Sequence, residues 1–343
     1  LLHSPIRRRG IHRADGQNQP HSRGKNDQAD AEPALKAVIS HVIRPHISYA
    51  RVRTGRTCFL DGNGKKLRQM ATYPLNFRKK SFIISNDISV RERRQMAQVL
   101  AVISGKGGTG KTSLCAGIAS CLAMEGQKVL CIDLDVGLRN LDIALGMSDT
   151  AVLPFTAVMR GEYSLQQATA HPTIRDLWML TAPVTEDPET IDIGAFGGLL
   201  EAARERYDWI LLDAPAGVGT LFRMAVRFAD EAVLVALADP ASQRDAARAA
   251  DLLLQEREIP ARLIVNRTVP RLFARMHATI DDVMDGVGLP LVGVVPDDAS
   301  VTLAAAEGKP LVQYTYHGAA LACLNIARRL CGQRVPLMKL ERR

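Results

Sequence analysis

Four glycines, two lysines and two threonines are compressed into Gly105-Lys106-Gly107-Gly108-Thr109-Gly110-Lys111-Thr112, directly after an uninterrupted apolar run, residues 99–104. Successive glycines let backbone N–H groups turn inward around a phosphate. A lysine such as Lys111 places a point charge on the β and γ oxygens, and a hydroxyl such as that of Thr112 is a ligand suited to Mg2+. The apolar run reads as a buried parallel strand. Residues 111–124, rich in Ala, Leu and Cys and free of Pro, read as a helix that stops at Gly126. Strand, glycine loop and helix in that order point the positive end of the helix dipole at the phosphates. The segment therefore predicts a nucleotide triphosphate site, with Gly105, Lys106, Gly107, Gly108, Thr109, Gly110, Lys111, Thr112 and Ser113 as its candidate residues.

Downstream, further strand candidates fall at 128–133, 177–180, 209–213, 232–238, 262–266 and 291–295, with helical stretches between several of them. This alternation predicts an α/β domain with a mostly parallel sheet, helices on both faces, and ligands at the carboxyl ends of the strands.

Two of those strand ends carry acids. One runs Asp133-Leu-Asp135-Val-Gly-Leu-Arg139-Asn140-Leu-Asp142; its first two acids either face the nucleotide or cap the next helix. The other is Leu211-Leu-Asp213-Ala-Pro-Ala-Gly217, an apolar strand ending in a carboxylate, the usual form of an acid on the Mg2+ side of a phosphate-loop site.

The charge is unevenly spread. Lys and Arg number 20 against 7 Asp and Glu before Met96, and 24 against 29 from Met96 onward. The basic balance belongs to the first 95 residues alone, so it gives no reason to expect specific nucleic-acid binding by the rest. That leading stretch lacks sustained periodicity and predicts a disordered basic extension, with translation starting at Met96. The 248 residues from Met96 suffice for one domain with a large core. No apolar run approaches the roughly eighteen residues of a membrane span, and no charged-then-apolar leader precedes the domain, which predicts a cytoplasmic protein. Six cysteines (Cys58, Cys115, Cys121, Cys131, Cys323, Cys331) form no C-x-x-C pair and read as core thiols, not metal ligands or disulfides.

The extra Lys106 in K-G-G-x-G-K-T, together with D-x-D-x-G-L-R-N-L-D over 133–142, resembles the deviant phosphate-loop ATPases of the MinD/ParA class, the second stretch its MinD branch. Matching pieces continue in 213–217, in Arg244-Asp245, in Ile264-Val-Asn266-Arg267 and in 293–297, so the likeness covers 96–333. The resemblance implies a homodimer that encloses two ATP molecules. It implies that Lys106 reaches the partner's nucleotide, that Asp135 positions the attacking water, and that Lys111 acts with both in catalysis. It further implies that Asp213 supports Mg2+ beside Thr112, through water, and that Asn266 and Arg267 meet the nucleotide. Asp133, Arg139, Asn140, Arg244 and Asp245 fall to switching and partner recognition. The activity implied is ATP hydrolysis that times a dimer and positions the cell-division site. Flagellar placement, chromosome or plasmid partition, and a nucleotide-gated adaptor with little turnover are its alternatives.

The chain also departs from that branch. Gly217-Val-Gly219 and Arg244-Asp-Ala-Ala247 stand where the branch carries additional carboxylates, on the surfaces that meet an activator and a division inhibitor. Residues 334–343 form only a short tail where the branch has an amphipathic membrane-binding helix. Leu337, Met338 and Leu340 offer little apolar area, which predicts weak or no binding to an anionic surface at the inner face of the plasma membrane.

Overall fold

The computed structural model describes residues 97–150 and 152–338, together with the backbone of 48–51 and 57–60. The chain divides into two units, Leu1–Ile84 and Ser85–Arg343. In the first, β1 (Ser48–Arg51) and β2 (Thr57–Leu60) pair antiparallel, with Ser48 opposite Leu60. No strand is expected there from the sequence, which shows no sustained period over the leading stretch. The proposed start, Met96, and the side chain of Cys58 lie outside the described residues.

The second unit is built on an eight-stranded sheet in the order β10-β9-β8-β3-β7-β4-β6-β5. Its strands are β3 (Gln98–Ile103), β4 (Val129–Asp133), β5 (Thr169–Ala170), β6 (Leu177–Leu180), β7 (Trp209–Asp213), β8 (Glu231–Ala236), β9 (Ala261–Thr268) and β10 (Leu291–Pro296). All pairings are parallel except that of the edge strand β5 with β6. The helices are α1 (Lys111–Met124), α2 (Leu141–Ala144), α3 (Phe155–Met159), α4 (Ile193–Arg204), α5 (Thr220–Phe228), α6 (Pro240–Glu256), α7 (Pro270–Met276), α8 (Ile280–Val287), α9 (Ser300–Ala306), α10 (Leu311–Tyr314) and α11 (Gly318–Leu330).

Alternate residues of the central strands enter opposite cores. Val99, Ala101 and Ile103 of β3 join Phe196 of α4, Phe222 of α5, Leu253 of α6 and Val283 of α8 on one face. Leu100 and Val102 join Leu114 and Ile118 of α1 and Cys323 and Ile326 of α11 on the other. With both faces covered, the central strands are apolar throughout, which is why they read as continuous runs and not as alternating ones. α1 is buried from Leu114 to Ala123 because α11 covers its outer side. The cysteines Cys115, Cys121, Cys131 and Cys323 are free and buried, and burial pushes their thiols up, Cys121 to about 12, so they remain protonated core side chains.

The chain runs from β3 across to β4, returns to insert β7 between them, then places β8 on the far side of β3. The strand order thus reverses at β3, and an open α/β sheet binds its ligands at the carboxyl ends beside such a reversal. Among the described residues no helix is long and apolar enough to cross a membrane.

Candidate nucleotide site

The loop between β3 and α1 is held from three sides. Ser104, buried at the end of β3, donates its hydroxyl to the Lys106 carbonyl at 3.0 Å, and its own carbonyl accepts from the Gly217 N–H at 3.1 Å. At Gly105 a Cβ would lie 2.1 Å from the Asp245 carbonyl oxygen, so the backbone of α6 closes against the loop and only glycine fits. Gly110 adopts φ +84°, the left-handed region, and leaves the N-terminus of α1 without a side-chain cap. First-turn N–H groups free of a cap are what a phosphate needs.

Lys111 opens α1 and is only 6% exposed; its Nζ donates to Asp213 Oδ1 at 2.6 Å and to the Thr112 hydroxyl at 3.3 Å. Asp213 ends β7 and is wholly buried, and its Oδ2 has no hydrogen-bond partner. Burial pushes this carboxyl up from the ordinary range, while Lys111 and Thr112 pull it back toward the ionised form. A buried carboxylate oxygen without a donor, beside a threonine hydroxyl at the mouth of a glycine loop, fits a hard divalent cation shared with phosphate oxygens. Among the described residues no group of three or more His, Cys, Asp and Glu side chains is placed to hold a metal ion.

The two acids at the end of β4 part company. Asp133 pairs in register with Asp213 across the β4–β7 ladder, and both its oxygens are engaged: Oδ1 accepts from the Asp135 N–H at 2.9 Å, Oδ2 from the Leu141 N–H at 3.2 Å. It is a clamp that closes the loop from Asp135 to the start of α2, so of the two expectations for this residue the capping one describes its contacts. Burial, with a smaller contribution from Asp213, pushes its carboxyl up to about 7, against the pull of those two N–H groups. Asp135 is half-buried; burial raises its carboxyl and Lys111 lowers it, which places it in the field of the loop lysine.

Arg139 takes φ +46° and bridges Asp142 at 3.2 Å, while Asn140 is exposed ahead of α2. Lys106 is exposed on the loop, and Arg244 is exposed on α6. Asp245 contributes its backbone against Gly105.

Asn266 and Arg267 stand near the end of β9. Buried Asn266 donates Nδ2 to the Thr109 carbonyl at 2.7 Å, and Arg267, exposed with φ +50°, bridges Asp297 at 3.0 Å. They line a cavity of about 390 Å3 with Gly108, Gly110, Ser113, Pro296 and Asp298. Its position beside the phosphate loop suits the base and sugar of a nucleotide. A larger groove of about 550 Å3, between α3 and α4 at Met159, Tyr163 and Gly198, contains none of the predicted site residues. Sequence reasoning did not single out Ser104, Pro296, Asp297 or Asp298 as site residues. For Pro296 and Asp297 the strand-end run of residues 293–297 was the signal, and it did not suffice because nothing in the sequence says that β10 lies beside β9.

Comparison with known proteins agrees with this geometry. Residues 100–311 match the CobQ/CobB/MinD/ParA nucleotide binding domain. The septum site-determining protein MinD of Bacillus subtilis is 33% identical over 250 residues, 72% of this chain and 93% of that protein. Its counterpart in Synechocystis is 35% identical over 246 residues, 71% of this chain and 92% of that protein. Among solved structures, the MinC:MinD cell division protein complex of Aquifex aeolicus is 34% identical with a TM-score of 0.66, covering 71% of this chain and 99% of that one. The septum site-determining protein MinD of Pyrococcus horikoshii, complexed with Mg-ADP, is 26% identical with a TM-score of 0.59, covering 68% of this chain and 96% of that one.

Proposed function

The chain belongs to the CobQ/CobB/MinD/ParA nucleotide-binding family, in its MinD branch, and on that premise we propose that it is an ATP-hydrolysing switch whose nucleotide state sets its assembly and thereby the site of cell division. The observation that carries the reading is the convergence of Lys111, Thr112 and the unpartnered Oδ2 of Asp213 at the mouth of an uncapped helix.

Hydrolysis adds water to the γ-phosphorus and breaks its bond to the β–γ bridging oxygen, giving ADP and phosphate. Charge neutralisation and orientation of the water dominate this reaction, with little covalent work for the protein. Backbone N–H groups of Gly107 to Thr112 cradle the phosphates, and Lys111 neutralises their β and γ oxygens. Thr112 and, through water, Asp213 would hold Mg2+, which when bound supplies positive charge against the phosphates. Asp135 orients the water, on a loop that Asp133 fixes at both ends. Asn266, Arg267 and Pro296 bound the base. Lys106, exposed on the loop, is free to reach a second copy's nucleotide, which makes turnover depend on dimerisation.

The fit to the MinC:MinD complex structure supports a division-inhibitor protein as partner. Peripheral contact with the membrane belongs to the same reading, by way of the tail.

Light scattering with Mg-ATP and Mg-ADP tests the switch. The full chain is expected to dimerise with Mg-ATP and revert as phosphate appears. Asp135→Ala is expected to bind ATP, stay dimeric and release no phosphate. A chain that remains monomeric with Mg-ATP, or Asp135→Ala turning over at the parental rate, overturns the corresponding part. In cells, loss of the protein should misplace septa toward the poles; normally placed septa overturn the pathway.

A further inference from the structure

The lysine that a phosphate needs is already engaged. Lys111 is paired with Asp213 at 2.6 Å in a buried position, and two further acids of the neighbouring strand end stand by the pair: Asp133 in register beside Asp213, and Asp135 in the field of Lys111. The pocket floor thus holds three carboxyl groups around one ammonium. A metal-free nucleotide that draws Lys111 onto its phosphates leaves Asp213 buried without a counter-charge, its Oδ2 already lacking a donor and Oδ1 losing the ammonium. Breaking a buried pair by taking away one partner is far more costly than the pair itself is favourable. A nucleotide that arrives with a divalent cation replaces the charge it removes.

We infer that Asp213, through its pair with Lys111, makes this site discriminate against metal-free nucleotide: it competes with the phosphates for the lysine until a divalent cation takes the lysine's place. The inference rests on the nucleotide-site reading above, and goes beyond the role of Asp213 as a metal-side acid. The two roles differ in the size of their effect. A carboxylate that acts only at the metal changes the affinity for metal-free ATP, when it is neutralised, by no more than its screened repulsion of the phosphates. A carboxylate that also sequesters Lys111 weakens that affinity, and its removal strengthens it.

Calorimetry on the full chain separates them, with ATP titrated in excess magnesium and in excess chelator. Wild type should bind Mg-ATP and bind metal-free ATP weaker by on the order of a hundredfold. Asp213→Asn, which keeps the shape and removes the charge, should bind metal-free ATP at least about tenfold tighter than wild type and Mg-ATP more weakly. Thr112→Ala removes a metal ligand but leaves both charges of the pair in place, so its affinity for metal-free ATP should not rise above wild type as that of Asp213→Asn does. Unchanged or weaker metal-free binding by a folded Asp213→Asn overturns the inference while leaving the site reading intact. Failure of wild type to bind Mg-ATP overturns both. Should Asp213→Asn not fold, magnesium chloride alone serves as the probe: it should leave the melting temperature of nucleotide-free wild type unchanged, and stabilisation by millimolar metal alone would show that the carboxylate is not held by Lys111.

Discussion

The side-chain amide nitrogen of Asn266 donates to the carbonyl oxygen of Thr109 at 2.7 Å across 157 residues of sequence, joining the end of β9 to the turn that forms the phosphate loop. At Gly110, next in the loop, a Cβ would lie 2.4 Å from the same nitrogen, so the amide and the glycine are fitted to each other. Asn266→Ala orphans a buried carbonyl, at a cost of about 1–3 kcal/mol. The melting temperature of nucleotide-free protein should fall, and ATP and ADP should weaken by similar factors, since the loop and not the γ-phosphate is disturbed. Calorimetry with both nucleotides checks this; a loss confined to ATP would place Asn266 elsewhere in the mechanism.

Gly105 and Gly107 belong to one motif but fail differently. A Cβ on Gly105 strikes the Asp245 backbone, whereas one on Gly107 meets nothing nearer than Ala216 Cβ at 3.9 Å. Gly105→Ala should therefore lose stability by about 3 kcal/mol or more, because helix backbone must move. Gly107→Ala should fold and melt near wild type. Thermal unfolding without nucleotide distinguishes them, and equal melting temperatures would contradict the packing of α6 against the loop.

The phosphate loop, α1 and the two-faced apolar strands were legible in the sequence because each is local: a glycine spacing, an apolar run of the right length, an acid at its end. The predicted helix 111–124 and strands 177–180 and 209–213 match the structure end for end. Strand order was not legible, and with it went Pro296 and Asp297, which become site residues only because β10 pairs with β9. The division of labour between Asp133 and Asp135 was also hidden. Both acids follow the same strand, and only the path of 135–141 shows that one folds back onto its own backbone. The short edge strand β5 has two residues, too few for any period.

His171 is a proton-dependent joint in the fold. Its Nδ1 accepts from the N–H groups of Thr173 and Ile174 at 3.1 and 3.0 Å, so the ring proton sits on Nε2, 2.8 Å from the Leu145 carbonyl. Burial lowers its pKa, opposed by that carbonyl, so the unfolded ring binds a proton more readily than the folded one. The contribution of His171 is complete above the unfolded value near about 6.5 and is lost as pH falls through the lower folded value. Melting temperatures of wild type and His171→Asn between pH 8 and pH 5 test the sign: the wild-type curve should drop more steeply below pH 6.5. Parallel curves would assign the acid sensitivity to other groups.

The tail after α11 is partly committed to the body of the protein. Arg329 donates Nε to the Val335 carbonyl at 2.9 Å and Nη2 to that of Pro336, and anchors Nη1 on the Val292 carbonyl at 2.8 Å. Met338 packs against the core formed by α1 and α11, which leaves Leu337, 49% exposed, as the insertable side chain among the described tail residues. One such residue beside basic groups gives a weak, salt-sensitive attraction to anionic lipid, and two tails on one dimer multiply it through effective concentration. Binding to anionic vesicles should then require ATP and vanish at high salt. Arg329→Ala frees residues 335–338 from the body and should raise vesicle binding severalfold in low salt. Sedimentation with and without ATP, at two salt concentrations, decides the matter. Tight nucleotide-independent binding that survives salt would show a membrane surface outside the tail, and no gain in Arg329→Ala would show that the docked conformation does not limit the tail.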